Sequence, residues 1–240
     1  MSKQQQIPSV HAPRASRIAL APLQNWLSRA VASGERFQDG QEFQLGWAWF
    51  RIGIDSRGVR VTAPRIGAPR LVYVDDCSDA LNLIAEQKAT VAQYGVEGLG
   101  SDCRQSALIV RDLDTCAAPF LDRLTAPMDG RSGWYVGAHD SKLDVARPEN
   151  LKLVPFSELL SRRPELGPFL TLPAGWQVSF LGEPVVMRER KVVEPRQSGV
   201  RGAGPPRGKQ DPQPRRFDRG RPPPPHDDRL ARNRPPPQPP

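Results

Sequence analysis

The 240-residue sequence has few of the side chains from which disulfide frameworks and metal sites are built. Its three cysteines, Cys77, Cys103 and Cys116, are odd in number and have no C-x-x-C spacing, which favours a reducing compartment over a disulfide framework. Two of its three histidines, His11 and His226, lie in polar, proline-containing segments that we expect to be disordered. A zinc site is therefore not expected, and we predict neither a metal nor a cofactor.

Long apolar runs are also missing. No stretch approaches the roughly 18 consecutive apolar residues that indicate a transmembrane helix. The first twenty residues lack the continuous apolar segment of a secretory signal. These two absences predict a soluble, cytoplasmic protein that does not contact a membrane.

The motifs of the common enzyme classes do not occur. There is no G-x-x-x-x-G-K-[ST] phosphate loop and no G-x-S-x-G nucleophile turn. Residues 95–100 are rich in glycine but follow a predicted helix, so a flexible linker is the favoured interpretation. Residues 139–141 read His-Asp-Ser, yet three consecutive side chains diverge and cannot form a triad by adjacency alone. We predict a polar loop there.

One acidic pair needs a separate interpretation. Asp75 and Asp76 precede a predicted helix, where the helix dipole favours negative charge. Paired carboxylates can also bind a metal or share a proton, which is the alternative. The neighbouring Cys77 has no adjacent base and is interpreted as a small packed residue. The sequence as a whole predicts a protein that is not an enzyme.

Proline and positive charge are concentrated at the C-terminus. Residues 195–240 contain 14 of the 27 prolines, eleven Lys and Arg, and four Asp and Glu. Since the whole chain carries +8 and this segment +7, residues 1–194 carry only +1. Such a segment cannot bury enough apolar surface to order itself, so we predict a disordered tail. Its arginines could give weak nucleic-acid binding, although Phe217 is the only aromatic residue able to stack on a base.

Apolar spacing in the rest of the chain predicts both helices and strands. Residues 18–32 and 78–95 have helical spacing, with Pro22 in the first turn of one helix and Ser78 as the N-cap of the other. Residues 116–124 are interpreted as a helical turn or a loop, and Ser157 as the cap of a short helix ending at Arg162. Strands are expected at 43–54, 59–63, 71–74, 107–110, 134–136, 151–156, 176–181 and 185–193.

This pattern predicts an α+β fold of one or two small units with mostly antiparallel strands and a few short helices. The expected organisation is a flexible leader at 1–17, an N-terminal α+β unit at 18–100, a second α+β domain at 104–193 and the disordered tail at 194–240. The tryptophans in strand-like runs, Trp47, Trp49, Trp134 and Trp176, are predicted to fill the core.

Residues 107–181 contain a series of short features whose order is specific, although no single feature is. The series comprises the strand 107–110, the segment Ser132-Gly133-Trp134-Tyr135-Val136-Gly137, a loop with Asp140 and Asp144, Pro148-Glu149-Asn150 before the strand 151–154, the pair Pro164-Glu165 and the turn Leu172-Pro173-Ala174-Gly175. In this order the features resemble the immunity protein 33 family of bacteria.

The resemblance implies a function without turnover. Immunity proteins bind a cognate toxin and cover or lock its active site, so the implied partner is a protein, namely a bacterial toxin. The residues that we single out for partner binding are Trp134, Tyr135, Asp140 and Asp144. The alternative is a nucleic-acid-associated or adaptor protein that acts through its basic, proline-rich tail. The two hypotheses predict different salt dependence. Binding through the tail should weaken steeply with salt, whereas a packed protein interface should not.

Overall fold

Two β-sheets and three α-helices make up residues 7–98 and 101–196, the part of the chain that the computed structural model describes. They lie in one compact unit. One pair of strands is parallel and the others are antiparallel. This architecture confirms the predicted α+β class. The predicted disordered tail lies, from residue 197 onward, outside the described residues.

Helix α1 spans Arg17–Ala32. It begins where Ser16 Oγ accepts a hydrogen bond from the backbone N–H of Ala19 at 3.1 Å. Pro22 lies in the second turn and not in the first, so that prediction is wrong. Because proline has no N–H, the carbonyl of Ile18 loses its helical partner. The helix buries the side chains Ala19, Leu23, Leu27 and Ala30.

The first sheet has four antiparallel strands in sequence order: β1 Glu42–Leu45, β2 Ala48–Asp55, β3 Gly58–Pro64 and β4 Tyr73–Val74. The predicted β2–β3 hairpin is present. The predicted single strand over 43–54 is wrong, because a turn at Gly46 and Trp47 divides it into β1 and β2. Gly46 has a φ of +59°, a left-handed conformation that favours glycine.

The segment before α1 pairs with the first sheet. The backbone N–H of Ser9 donates to Val59 and its carbonyl accepts from Val61, both at 2.9 Å. The carbonyl of His11 accepts from the N–H of Cys77, also at 2.9 Å. These contacts attach part of the predicted leader to β3 and to the start of the second helix.

Helix α2 spans Ser78–Tyr94 and ends at Gly95, whose left-handed φ of 65° is typical of a helix C-terminus. The N-cap is Cys77 and not Ser78 as predicted. The carboxylate of Asp76 accepts from the N–H of Ser78 at 2.9 Å and so satisfies one of the free donors of the first turn. The Ser78 hydroxyl instead accepts from the N–H of Arg14.

The second sheet has seven strands: β5 Ser106–Val110, β6 Pro119–Arg123, β7 Arg131–Ala138, β8 Leu151–Pro155, β9 Trp176–Ser179, β10 Val185–Arg188 and β11 Lys191–Val192. Their spatial order is β11-β10-β9-β6-β7-β5-β8, and β5 pairs with β7 in parallel. The prediction of a helical turn or loop at 116–124 is therefore wrong, since β6 is a central strand of this sheet.

Short helical segments connect the strands of the second sheet. Helix α3 spans Phe156–Arg162 and follows β8 directly, with Pro155 and not Ser157 at the N-cap position. Three 3-10 turns lie at Leu113–Thr115, Pro148–Asn150 and Pro164–Phe169. Helix α2 packs against the last of these turns.

Buried side chains from both sheets form one hydrophobic cluster. Trp47, between β1 and β2, lies against Phe156 of α3 with ring centroids 6.1 Å apart. Trp47, Trp134 and Trp176 are buried as predicted, whereas Trp49 is half-buried beneath the Arg104 guanidinium at 4.1 Å. The division into an 18–100 unit and a 104–193 domain stays a prediction.

Candidate functional site

The central strands of the seven-stranded sheet present two unlike faces. Residues paired across β6, β7 and β9 share a face, because side chains alternate along each strand. We call one the inner face, which consists of Leu121, Arg123, Trp134, Val136 and Val178, all buried. We call the other the outer face, which consists of Phe120, Asp122, Tyr135, Gly137, Gln177 and Ser179.

Trp134, a predicted partner-binding residue, lies on the inner face and is 2% exposed. Its indole N–H donates to the carbonyl of Leu170 at 2.9 Å. The same carbonyl accepts from the hydroxyl of Ser101 at 2.6 Å and from the guanidinium of Arg123 at 3.1 Å. Trp134 therefore packs the sheet against the segment that follows the Pro164–Phe169 turn.

Arg123 is a fully buried cation beside Trp134. One of its nitrogens donates to the carbonyls of Leu170 and Leu172, at 3.1 and 2.8 Å. Within residues 7–98 and 101–196, its Nε and Nη2 have no hydrogen-bond partner. Burial lowers the pKa of Arg123 to about 10, because the charged form has lost its water.

Tyr135, the next predicted residue, lies on the outer face in an aromatic row that also contains Phe120 and His139. The rings of Phe120 and Tyr135 meet edge to face at 5.7 Å, and those of Phe120 and His139 lie 5.0 Å apart. Gly137 makes room for this row, since a Cβ there would lie 2.4 Å from the Phe120 ring. The row is half-buried to exposed, and it is the aromatic part of the outer face.

Polar groups surround the aromatic row. Asp122 accepts from the Gln177 amide at 2.9 Å, and His139 shares a hydrogen bond of 2.9 Å with Ser179. The Tyr135 hydroxyl has no partner in the described part of the chain. Burial raises the pKa of Tyr135, and the nearby carboxylates of Asp112 and Asp122 raise it further.

Asp140 follows His139 at the end of β7 and is exposed. Its carboxylate accepts from the backbone N–H groups of Ala117 and Ala118, at 2.7 and 3.3 Å. The hydrogen bond from Ala117 holds the pKa of Asp140 below its usual range. Asp140 therefore lies beyond the end of β7, next to His139 of the aromatic row, whereas Tyr135 lies within the strand.

Asp144 makes its contacts within its own loop. Its carboxylate accepts from the N–H of Ala146 at 3.0 Å and pairs with Arg147 at 3.5 Å. Its carbonyl accepts from the Asn150 amide at 2.8 Å. These contacts shape an exposed loop and do not tie Asp144 to the aromatic row. Partner binding by the four predicted residues stays a prediction.

Residues 139–141, the consecutive His-Asp-Ser that could suggest a catalytic triad, contact different partners. His139 contacts Ser179, Asp140 contacts Ala117, and the Ser141 hydroxyl donates to Asp112 at 2.9 Å. The three consecutive side chains therefore diverge, as expected of a polar loop.

Of the acidic pair before α2, Asp76 caps the helix start through the N–H of Ser78, whereas Asp75 pairs with the first sheet. Asp75 accepts from Arg60 at 2.8 Å, and Asp76 pairs with Arg14 at 2.9 Å. Hydrogen bonds from Ser78, and then the Arg14 guanidinium, hold the pKa of Asp76 far below its usual range. Burial raises the pKa of Cys77 to about 12, so its thiol stays protonated and is a poor nucleophile.

The sequence did not predict several residues in and around the two faces. Phe120 and Asp122 were missed because β6 was not recognised as a strand. The buried charge of Arg123 breaks the alternation of apolar and polar residues that would have identified it. Leu181, 72% exposed just beyond β9, and Val185, 41% exposed in β10, are apolar residues that no sequence signal singled out.

The described residues contain neither a candidate metal cluster nor a helix able to span a membrane. Among the described residues, no group of three or more His, Cys, Asp or Glu side chains could hold a metal ion. None of the helices in the described ranges combines the length and the apolar character needed to cross a bilayer.

Comparison with known families finds one match. Residues 86–188 match the family model described as the Imm33-like domain. The match confirms the resemblance seen over 107–181 and extends it in both directions, from Glu86 within α2 to Arg188 at the end of β10. The match therefore includes both faces of the central sheet. No curated protein and no solved structure matches the chain.

Proposed function

We propose that this chain is a non-catalytic immunity-type protein that binds and neutralises a cognate bacterial toxin. The observation that carries the proposal is the Imm33-like match over residues 86–188. Domains of this type generally act by binding a protein partner and not by turnover. The divergent contacts of His139, Asp140 and Ser141 support a binding role.

We place the toxin contact on the outer face, around the aromatic row of Phe120, Tyr135 and His139. Aromatic side chains at the centre of an interface supply most of its apolar contact and are frequent anchors of binding energy. The exposed Val185 extends the apolar area, since it pairs with Ser179 of β9, which in turn pairs with Phe120. The exposed Leu181 follows β9.

Charge at this end of the sheet favours a basic partner. Asp140 is ionised at neutral pH and exposed, and Asp122 lies on the outer face beside Tyr135. Carboxylates at the rim of an interface steer a cationic surface into place and mainly speed association. The proposed occupant is therefore a toxin surface rich in Lys and Arg.

The proposal includes a cytoplasmic location. The three cysteines are free and buried. Unpaired thiols fit a reducing compartment, where an immunity protein would meet its toxin before export.

The test is co-expression of the full chain with the toxin encoded next to it, in a sensitive host. We expect survival, and we expect Asp140→Asn to slow association and to reduce its salt dependence. If Asp140 is buried against a toxin cation, the loss is about 2–5 kcal/mol and is seen in dissociation. Asp79→Asn is the matched control, because Asp79 pairs with Arg14 at the start of α2.

Failure of the full chain to protect the host, together with tight and steeply salt-dependent nucleic-acid binding by residues 194–240, would replace this proposal with the adaptor alternative.

A further inference from the structure

An apolar groove lies along α1, next to α2 and the end of β1. It consists of two adjoining cavities of about 850 and 350 Å³ that open to solvent and share Ile18, Pro22 and Leu45. Ile18 is 84% exposed, the largest fraction for any large apolar side chain in residues 7–98 and 101–196. We call this surface the α1 groove, and its apolar lining residues include Ile18, Pro22, Trp26, Leu45, Ala85 and Ala89.

Packed side chains hold the wall of the α1 groove in place. The Trp26 ring stacks on Phe43 of β1 with centroids 4.2 Å apart, and the Phe37 ring lies 6.2 Å from the same indole. Helix α1 also buries Leu23 and Leu27 in the core. The groove is therefore preformed, and a partner would not have to order it on binding.

Positive charge lines the α1 groove on both helices. Arg29 of α1 and Lys88 of α2 are exposed there. Among the described residues, neither forms a salt bridge. None of the residues that line the groove is Asp or Glu. The groove thus combines an apolar surface with two cations, which favours an occupant that is both apolar and acidic.

We propose that the α1 groove binds an amphipathic helix of a partner protein that carries Asp or Glu beside its apolar face. The apolar side chains of such a helix would contact Ile18, Trp26 and Leu45. Its carboxylates would pair with Arg29 and Lys88.

Other occupants fit the α1 groove less well. A small molecule would be largely exposed in it, whereas ligand pockets enclose about 70–90% of their ligand. Residues 195–240 of the chain itself carry +7 and so have the same sign of charge as Arg29 and Lys88. A helix suits the groove, because the short side chains of Ala85 and Ala89 allow the spacing of roughly 8–10 Å at which helices pack.

The α1 groove differs from the proposed toxin site in both place and charge. The Imm33-like match begins at Glu86, so of the residues that line the groove only Lys88 and Ala89 fall within it. The outer face instead carries Asp122, with Asp140 beyond the end of β7. The helix therefore belongs to a partner other than a basic toxin surface, and its binding can be tested without a toxin.

The test uses the full chain and two synthetic peptides of about 15 residues, a length at which an isolated helix is marginally stable. The acidic peptide has leucine at helical spacing and glutamate beside it, and the basic peptide has lysine in place of each glutamate. We expect the acidic peptide to bind with a Kd on the order of 10 μM and to gain helix, as measured by fluorescence anisotropy and circular dichroism. The basic peptide should bind at least about tenfold more weakly. In the chain labelled with ¹⁵N at tryptophan, the Trp26 indole signal, assigned from its loss in Trp26→Phe, should shift.

Variants at exposed positions separate binding from folding. Lys88→Glu should weaken binding of the acidic peptide about tenfold or more and strengthen binding of the basic one. Lys142→Glu is the matched control, because Lys142 is an exposed lysine outside the groove. Ile18→Asn should weaken binding of the acidic peptide severalfold, and it should leave the urea midpoint nearly unchanged because this side chain is 84% exposed.

Several results would overturn the proposal. Absence of binding by the acidic peptide, or equal binding of the basic one, would remove the charge preference, and equal affinities of Lys88→Glu and Lys142→Glu would place the peptide elsewhere. Binding without a gain of helix would mean an extended segment. Self-association of the chain that Lys88→Glu prevents, seen by sedimentation, would assign the groove to a second copy. None of these results depends on whether the chain neutralises a toxin.

Discussion

The inner and outer faces of the seven-stranded sheet differ in what their polar groups contact. On the inner face, Trp134 and Arg123 donate to the carbonyl of Leu170, and both are buried. On the outer face, Tyr135 has no hydrogen-bond partner among the described residues, and Asp140 is exposed at the end of the row. Neighbours in sequence therefore differ in their surroundings: Trp134 packs the core, whereas Tyr135 lies on the face where we propose that a partner binds.

The largest effect should come from the inner face. Trp134→Ala removes a buried indole and its hydrogen bond to Leu170, and we expect the free energy of unfolding to fall by about 3–5 kcal/mol. Urea denaturation measures the change, and Trp134→Phe, which keeps a ring, should lose less. A loss below about 1 kcal/mol for Trp134→Ala would show that the indole is not part of the core and would remove the distinction between the faces.

A smaller effect is expected where the outer face is tightly packed. In Gly137→Ala the new methyl group would lie 2.4 Å from the Phe120 ring and 3.0 Å from the Tyr135 hydroxyl. The ring must move, and overpacking of this kind costs about 1–3 kcal/mol.

Gly53→Ala provides the matched strand control for this prediction, because its Cβ would meet no atom closer than 3.5 Å. We expect it to leave the free energy of unfolding unchanged or to raise it. Equal urea midpoints for both variants would mean that the aromatic row is loosely packed and tolerates an added methyl group.

The third prediction separates a ring from its hydroxyl. Tyr135→Phe removes a buried hydroxyl that has no partner among the described residues, so the free energy of unfolding should stay unchanged or rise by up to about 1 kcal/mol. Tyr135→Ala removes the ring as well and should be destabilising. Thermal and urea denaturation measure both variants, and a clear loss in Tyr135→Phe would reveal a partner for the hydroxyl and make this position similar to Trp134.

The sequence predicts a helix or strand more accurately when its pattern of apolar residues is long. Helices α1 and α2 were predicted closely, because the apolar spacing runs over four turns and each ends near a glycine. Strand β6 was missed because it has five residues and carries Arg123 in the core. A hydropathy pattern predicts that any arginine lies at the surface. Arg123 is buried because it donates to the carbonyls of Leu170 and Leu172, which only the structure shows.

Some residues of the candidate site were predictable from the sequence, but their positions in the sheet were not. Family resemblance identified Trp134, Tyr135, Asp140 and Asp144, but resemblance does not tell which face a residue occupies. The register of β7 against β6 does so, and it places Tyr135 beside Asp122 and Trp134 beside Arg123.

The smallest effect concerns Asp140 and its dependence on pH. The N–H of Ala117 holds the pKa of Asp140 below its value in the unfolded chain, which is about 3.9. The unfolded state therefore binds the proton more readily, and the ionised carboxylate contributes stability above about pH 4 that is lost as the pH falls through the lowered pKa. Asp140→Asn should thus be less stable than the wild type near neutral pH, and the difference should shrink towards about pH 2. Urea midpoints for the two proteins across this range measure the difference.

A difference that is constant with pH would mean that the amide replaces the carboxylate at Ala117 and Ala118 without regard to charge. Asp140 would then be a loop-shaping residue, and the outer face would lose the carboxylate that we expect to steer a basic partner.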